Sequence, residues 1–543
     1  MRDLSSIETP DAGWLRPGET CWRREPAARI ALLHDGAAYF AAARRALLAA
    51  RRSILLIGWS FDPRVRLDPV GEAERESMAD LLRRLKAQRP DLAIRLLIWD
   101  MPWPISAGND HTPDTVRAAL GPQIDFRIDG TLPYGACQHQ KILVIDDRVA
   151  FCGGGDFEVN RWDTQAHRDR DPRRRLPSGE TYPPRHDVMM AVDGPAAAAL
   201  GDLARRRWLD ATGERLGTPE AGPEGFGDPW PDTVTPLLRD VEVGIARTEP
   251  ARAGRAALRE SEALYLRAIR AARRIIYLEN QYFTSPLIAA ALAARLAEPD
   301  GPEIVVVLTE RSPNGFDRLT MDSARRGLIA RLRAADPHRR LRVLAPRTPA
   351  GGPILVHSKV AVFDDRLLRV GSTNLNNRSL GLDTECDLAI EALPGEPYDL
   401  RREAIARVRD GFVAHHAGCP RDRFEAVVRQ RGSVRAALDD PALVSPERLC
   451  AVVASRRGLL ARFIEAWHVG DPVGTADLWR PWRRRRALRV RTEPAARGDA
   501  ARVPSRSERE AVREAASPDR AHPSPHSSPA REREPVVPSG PDR

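Results

Sequence analysis

One pattern, written twice, limits what this chain can fold into. Gln138-His139-Gln140-Lys141-Ile142-Leu143-Val144-Ile145-Asp146 is followed by Gly153-Gly154-Gly155-Asp156. Val356-His357-Ser358-Lys359-Val360-Ala361-Val362-Phe363-Asp364 is followed by Gly371-Ser372-Thr373-Asn374. Both read His-x-Lys, four residues, Asp, six residues, then a glycine-led turn closed by Asp or Asn. The two histidines lie 218 residues apart, and Phe61 and Phe283, in an earlier matching stretch, lie 222 apart. Two separate elements recurring at nearly one offset indicate a duplication rather than a chance match.

The order of elements repeats with the motif. Helical spacing over 36–52 leads into an apolar run from Ser53 that stops at Pro63, read as a buried strand. A helix over 75–88, a strand over 93–99, a helix over 113–120 and a strand over 123–128 then lead to the first motif. The second unit repeats the order: helix 256–272, strand 275–278, helix 286–297, strand 303–308, helix 319–335, strand 341–345 and the second motif. Strand–helix alternation with apolar strands predicts an α/β fold. It consists of two duplicated sandwich halves, each a mixed sheet flanked by helices, sharing one site at a pseudo-two-fold interface. The expected divisions are a strap or loop at 1–28, halves at 29–213 and 237–398, and a Gly/Pro-rich linker at 214–236. A helical extension over 399–470 and a basic Pro/Ser/Arg-rich tail over 471–543 follow, the tail expected to be largely disordered from about 487. The Arg/Asp-rich insertion at 164–184 is expected to be an exposed loop by the site mouth.

Composition sharpens the motif. The chain carries 85 Lys plus Arg and a net charge of +10, which suits anionic partners. Only Lys86, Lys141 and Lys359 are lysines, so a chain that writes its cations as Arg writes Lys inside both motifs. A compact ammonium touching one phosphate oxygen is a role a guanidinium does not copy. The six cysteines are scattered with no CxxC pair, so free thiols are expected and a zinc site is not. No apolar stretch approaches a membrane span and no signal core opens the chain, so a cytoplasmic protein, peripheral at membranes, is expected. The Trp479-Arg480-Pro481-Trp482-Arg483 stretch reads as an ordinary basic tail rather than a lipid anchor.

On a strand, His357 and Lys359 share one face and Ser358 takes the other. An imidazole beside an ammonium makes half a phosphate pocket, and His139 with Lys141 supplies the other half. One histidine attacks phosphorus while the other protonates the leaving oxygen, and water or an alcohol then releases the phosphohistidine. Asp146 and Asp364 belong to the same catalytic motifs, but their phase favours fixing a turn. Asn374, Ser372, Gly154 and Asp156, in the glycine-led turns, are the candidate substrate-binding residues. Each imidazole needs a partner on its other nitrogen: Glu385 is the candidate for His357, and Asp187 holds the matching place in the first half. The two ammoniums do the electrostatic work of a metal, so no metal and no cofactor is expected.

These residues resemble the phospholipase D superfamily with its paired HKD motifs, over roughly 30–395. The likeness looks closest to the eukaryotic-type branch. Asn160-Arg161-Trp162-Asp163 stands where that branch has G-R-W-D, Leu278-Glu279-Asn280-Gln281-Tyr282-Phe283 matches I-E-N-Q-Y-F, and Gly371-Ser372-Thr373-Asn374 with Arg378-Ser379 matches G-S-x-N…R-S. The resemblance implies hydrolysis of phosphatidylcholine-like lipids at a membrane surface to phosphatidic acid and head group, with water or an alcohol as acceptor. It implies His139 as nucleophile and His357 as acid/base. A cardiolipin synthase-like phosphatidyltransferase is the main alternative, a nuclease a weaker one, and an Arg-rich binding protein the non-enzymatic one. No stable nucleic-acid partner is expected. Nor is dimerisation, since a duplicated chain completes its own site. No room is seen for PX, PH or C2 modules.

Overall fold

Short runs of β-branched and aliphatic residues make the strands, and helices with one apolar stripe cover them. The computed structural model describes residues 13–70, 75–102, 111–220, 227–252, 254–394, 398–452 and 470–474. The chain divides into two units, Met1–Thr492 and Glu493–Arg543, and every described residue lies in the first. The tail with Trp479 to Arg483, and the expected disorder from 487, lie outside the described residues.

The first copy runs β1 (Arg23–His34), α1 (Asp35–Ala49), β2 (Ser53–Gly58), α2 (Met78–Gln88), β3 (Ala93–Trp99) and α3 (Pro113–Leu120). It continues with β4 (Asp125–Asp129), β5 (Ile142–Ile145), β6 (Val149–Gly153), β7 (Arg185–His186), β8 (Val188–Asp193) and α4 (Gly194–Thr212). The second runs β9 (Leu238–Glu249), β10 (Leu258–Arg259), α5 (Glu260–Ala271), β11 (Ile275–Asn280), α6 (Pro286–Ala297), β12 (Glu303–Leu308) and α7 (Gly315–Ala334). Then come β13 (Leu341–Pro346), β14 (Leu355–Val356), β15 (Lys359–Phe363), β16 (Leu367–Gly371), β17 (Glu385–Glu391) and α8 (Tyr398–Ala417). The chain goes on through α9 (Arg421–Arg431), α10 (Val434–Leu438) and β18 (Leu449–Ala451).

Both copies build one strand order. The first is β4-β3-β2-β5-β6-β8-β1 and the second β13-β12-β11-β15-β16-β17-β9. In each, the first three strands are parallel and the rest antiparallel. The edge strands β1 and β9 pair antiparallel, from Arg23 opposite Ile245 to Ile30 opposite Leu238, and join the copies into one mixed sheet. The sheet folds back so that β6 meets β17, where Cys152 Sγ contacts the Cys386 carbonyl at 3.5 Å. Val144, Ala150 and Val188 of the first copy thereby share one core with Val362, Val370 and Leu388 of the second. Two outer cores lie under α1–α3 and under α5–α7.

Three expectations change. The extension after 398 is not helical throughout, because β18 adds antiparallel to β13 and closes that sheet edge. The boundary drawn at Asp471 falls inside a packed segment: its carboxylate accepts from Thr284 Oγ1 at 2.7 Å and from the Arg378 N–H at 2.9 Å. The insertion at 164–184 is largely exposed, as expected, but it is anchored by a buried inner side. His167, Asp171 and Arg174 are buried, and Arg174 pairs with Asp163 at 2.8 Å.

The motif aspartates are fold elements. Asp146 and Asp364 both take φ 54°, left-handed, at the far ends of β5 and β15. Asp146 accepts from the backbone N–H groups of Arg51, Arg52 and Ser53 at 2.7–2.8 Å. Asp364 does the same for Arg273, Arg274 and Ile275 at 2.7–3.0 Å. Each carboxylate pins the start of the neighbouring strand, roughly 20 Å along the chain from its histidine. Asp146→Ala and Asp364→Ala are therefore each expected to lower unfolding free energy by about 2–3 kcal/mol. The check is a urea titration alongside turnover. Loss of turnover at full stability would instead make these groups part of the chemistry.

Candidate active site

The histidines stand just before their strands rather than on them. β5 begins after Lys141 and β15 begins at Lys359. What fixes the preceding residues is the opposite copy. The His139 N–H donates to the Thr384 carbonyl at 3.1 Å, and the Thr384 N–H to the Cys137 carbonyl at 3.0 Å. In the other direction, β14 pairs with β7, and the His357 N–H donates to the His186 carbonyl at 2.7 Å. Each motif is thus laid against the strand start of its partner copy.

This exchange decides the carboxylate partners. The residue after Thr384 is Glu385, and its carboxylate meets His139 Nδ1 at 2.9 Å. The residue after His186 is Asp187, and its carboxylate meets His357 Nδ1 at 2.8 Å. The expected pairing of Glu385 with His357, and of Asp187 with the first-half histidine, is therefore reversed. Sequence spacing alone tied each acid to the motif of its own copy, and only the β14–β7 and Gln138–Thr384 contacts swap them. Both Nε2 atoms are left for chemistry.

The remaining motif residues fall into matching places. Lys141 Nζ donates to the His139 carbonyl at 2.9 Å and pairs with Asp156 at 3.2 Å. Lys359 Nζ donates to the His357 carbonyl at 2.5 Å and to Gln281 Oε1 at 3.2 Å. Asp156 also accepts from the Trp59 N–H at 2.9 Å, so it is a strut for Lys141 rather than open to substrate. Ser372 donates to Glu385 and fixes the carboxylate that holds His139. Gly154 makes room: a Cβ there would stand 2.1 Å from Asp187 Oδ1. Of the four residues expected to bind substrate, only Asn374 keeps an unspent group, a buried Oδ1 with no hydrogen-bond partner.

Burial dominates the electrostatics. It pushes both His139 and His357 well below the ordinary imidazole value, with Lys141 and Lys359 acting in the same direction. It pushes the Glu385 and Asp187 carboxyls up. Lys359 is pushed down to about 7 by burial, with Lys141 and Arg185 adding to the shift. Arg185 is pushed down to about 9, again by burial, and its Nε has no partner. Gln281 and Arg185 were not singled out from sequence. Gln281 stands in a stretch quoted only for its likeness, and Arg185 is one Arg among many, conspicuous only once it is seen to be buried.

The arrangement brings two imidazoles, two ammoniums and a guanidinium near enough to act on one another's charge, each imidazole backed by a carboxylate. A family model described as cardiolipin synthase, PLD-like domain, matches residues 265–400. Phospholipase D A of Dictyostelium discoideum is 25% identical over 418 residues, covering 65% of this chain and 32% of that protein. Phospholipase D alpha 2 of Oryza sativa subsp. japonica is 24% identical over 530 residues, covering 70% of this chain and 63% of that protein. The chain thus spans less than two thirds of the length of these curated relatives. A phosphatidylserine synthase structure from Haemophilus influenzae superposes with a TM-score of 0.48 at 16% identity, covering 71% of this chain and 88% of that one. The sequence likenesses agree with the paired motifs that opened the reading: a PLD-like domain matches residues 265–400, and the chain is similar to phospholipases D over about two thirds of its length.

Proposed function

We propose that the chain is a phospholipase D-type phosphodiesterase. It takes glycerophospholipids such as phosphatidylcholine to phosphatidic acid and a head-group alcohol. The observation that carries this reading is the crossed pairing of His139 with Glu385 and His357 with Asp187 beside two buried lysines. Each imidazole–carboxylate pair holds either one or two protons. With one, Nε2 presents a lone pair; with two, it presents an N–H. A one-proton His139 pair and a two-proton His357 pair make a nucleophile facing an acid.

His139 Nε2 attacks phosphorus and the P–O bond to the head group breaks. The departing oxygen takes its proton from His357 Nε2. Water or an alcohol then gives its proton to His357 and attacks phosphorus, and the P–N bond breaks. Lys141, Lys359 and Arg185 bear on the non-bridging oxygens, where charge develops. Asn374 supplies the remaining polar contact. Asp146 and Asp364 take no part.

Access from a lipid surface is supported by exposed apolar side chains on both copies. Tyr134 is 76% exposed in the loop before His139. Phe316 is 62% exposed at the start of α7, where Asp317 accepts from Tyr282, the neighbour of Gln281. Among the described residues no helix is long and apolar enough to cross a membrane. The cardiolipin synthase-like reading differs only in acceptor, a glycerol-bearing lipid instead of water, and keeps the same pair of histidines.

Vesicles of phosphatidylcholine with a primary alcohol are expected to yield choline and a phosphatidylalcohol. Choline release without the alcohol adduct would contradict the histidine intermediate, and cleavage of single-stranded DNA alone would replace the lipid reading with a nuclease. With a p-nitrophenyl leaving group, which needs no acid, His357→Ala and Asp187→Asn are expected to give a burst of p-nitrophenol and then stall. His139→Ala and Glu385→Gln are expected to give none, with steady turnover down roughly 10²–10⁴-fold in all four. The opposite assignment of bursts would exchange the two roles.

Lys359 sets the alkaline side. A group at about 7 in the free protein is protonated below that value and loses its charge above it. A bound phosphodiester anion favours the ammonium and raises it again. Thus kcat/KM is expected to fall as pH rises past neutrality while kcat holds to higher pH. Parallel profiles of the two constants would remove Lys359 from substrate binding.

A further inference from the structure

Behind His357 lies a second cluster of titratable groups that the proposed reaction does not use. His34, His167, His186, His415 and His416 are five of the twelve histidines in the chain. They converge from the end of β1, the insertion after Asp163, β7 and the last turn of α8. Ring centroids of His167 and His186 lie 5.2 and 5.6 Å from that of His415. Asp35, His167, His186 and His415 can each turn one ligand atom inward so that all four lie within 4.8 Å of one another.

Two observations say that this is more than a packed polar core. Asp35 Oδ2 and His167 Nε2 are both buried, stand 3.7 Å apart, and have no hydrogen-bond partner. Leaving two such atoms unsatisfied is costly, and protein interiors avoid it. The outward nitrogens of His167 and His186, by contrast, are engaged. His167 Nδ1 meets Asp163 Oδ2 at 2.9 Å, and His186 Nε2 meets Glu279 Oε2 at 3.1 Å. A carboxylate on the far nitrogen fixes the tautomer and aims the lone pair of the near one, which is how proteins prepare imidazole for a metal.

We propose that Asp35, His167, His186 and His415 bind one divalent ion of the zinc class in a closed, four-coordinate site. Three imidazoles and one carboxylate suit zinc and its first-row neighbours, whereas calcium and magnesium take oxygen ligands. The ion replaces the proton between His186 Nδ1 and Asp35 Oδ1, now 2.8 Å apart. The rival arrangement is a protonated His186 bridging Asp35 and Glu279, which leaves Asp35 Oδ2 and His167 Nε2 unused.

The site touches no reacting atom. The Asp35 N–H donates to the Asp187 carbonyl at 2.8 Å, and Asp35 Oδ1 accepts from the Asp187 N–H at 3.2 Å. An ion on Asp35 therefore fixes the residue whose carboxylate holds His357, and it ties the insertion to α1 and α8. Its role is positioning. The site departs from the sequence expectation of no metal, which rested on the two ammoniums at the phosphorus, the scattered cysteines and the lack of an acidic cluster. These ligands come from four distant segments, which no short spacing reveals.

The test uses the whole chain, purified without a histidine tag, exposed to zinc and desalted. Elemental analysis is expected to find about one zinc per chain. Cobalt loaded in its place is expected to give the intense visible bands of a four-coordinate ion. His167→Ala and Asp35→Ala are expected to lose the ion with far-ultraviolet circular dichroism intact, while His338→Ala, on the exposed surface, keeps it. An unmodified chain that retains no stoichiometric zinc and shows no cobalt bands would overturn the site, as would retention of the ion by both folded variants. Should either variant fail to fold, zinc competition between the unmodified chain and a chromophoric chelator decides. None of these readouts depends on lipid turnover, so the site and the phospholipase reading fail separately.

Discussion

The exchange of backbone hydrogen bonds between the copies, Thr384 with Cys137 and His139 on one side and His186 with His357 on the other, is what the site depends on. These bonds place each motif histidine within two residues of the start of a long strand in the other copy. A carboxylate at that start then lies opposite the ring. Neither copy holds its own histidine in one tautomer; each orients the other's. The shared inner core of β6, β8, β16 and β17 residues keeps the exchange in register, because a slip of one residue would turn every inward side chain outward.

Much of this was legible in the sequence. The strand 93–99, the helix 113–120, the helix 286–297 and the strand 303–308 appear with the expected bounds, since each is a short apolar run or a periodic stretch closed by its own stop signals. The motif residues were legible because a lysine-poor chain places lysine twice in one context. The crossed carboxylates were not. Glu385 and Asp187 each follow the motif of their own copy in sequence, and nothing local records that a strand start is borrowed. The buried face of the insertion was hidden for a related reason. Its Arg/Asp content reads as solvated, yet Arg174 is neutralised by Asp163 and capped by the carbonyl of Asp169 at 3.2 Å.

Duplication also explains the two motif aspartates. A residue repeated at the same distance from a catalytic histidine invites a catalytic reading. Here the repeated feature is a turn: one left-handed aspartate, three backbone donors, one strand start, twice over. What recurs in a duplicated chain is whatever the fold of each copy needs, whether or not the chemistry needs it.

Function then resides in the places where the copies differ. Ile57 pairs with Ile142 in β2–β5, and at the equivalent register Glu279 pairs with Val360 in β11–β15. An apolar side chain in one copy is thus a buried acid in the other. Glu279 accepts from Ser358 at 2.7 Å and from Tyr277 at 2.5 Å, and contacts His186 at 3.1 Å and His416 at 2.9 Å. Gln140 stands where Ser358 does, and its Oε1 has no partner. The two imidazoles are therefore alike in their first contacts and unlike in what lies behind them. His357 is backed by a charged network reaching Asp35, while the equivalent of Glu279 behind His139 is apolar. The proposed reaction asks the two histidines to take opposite proton states in one step, which needs such a difference, and a pair of identical copies could not supply it.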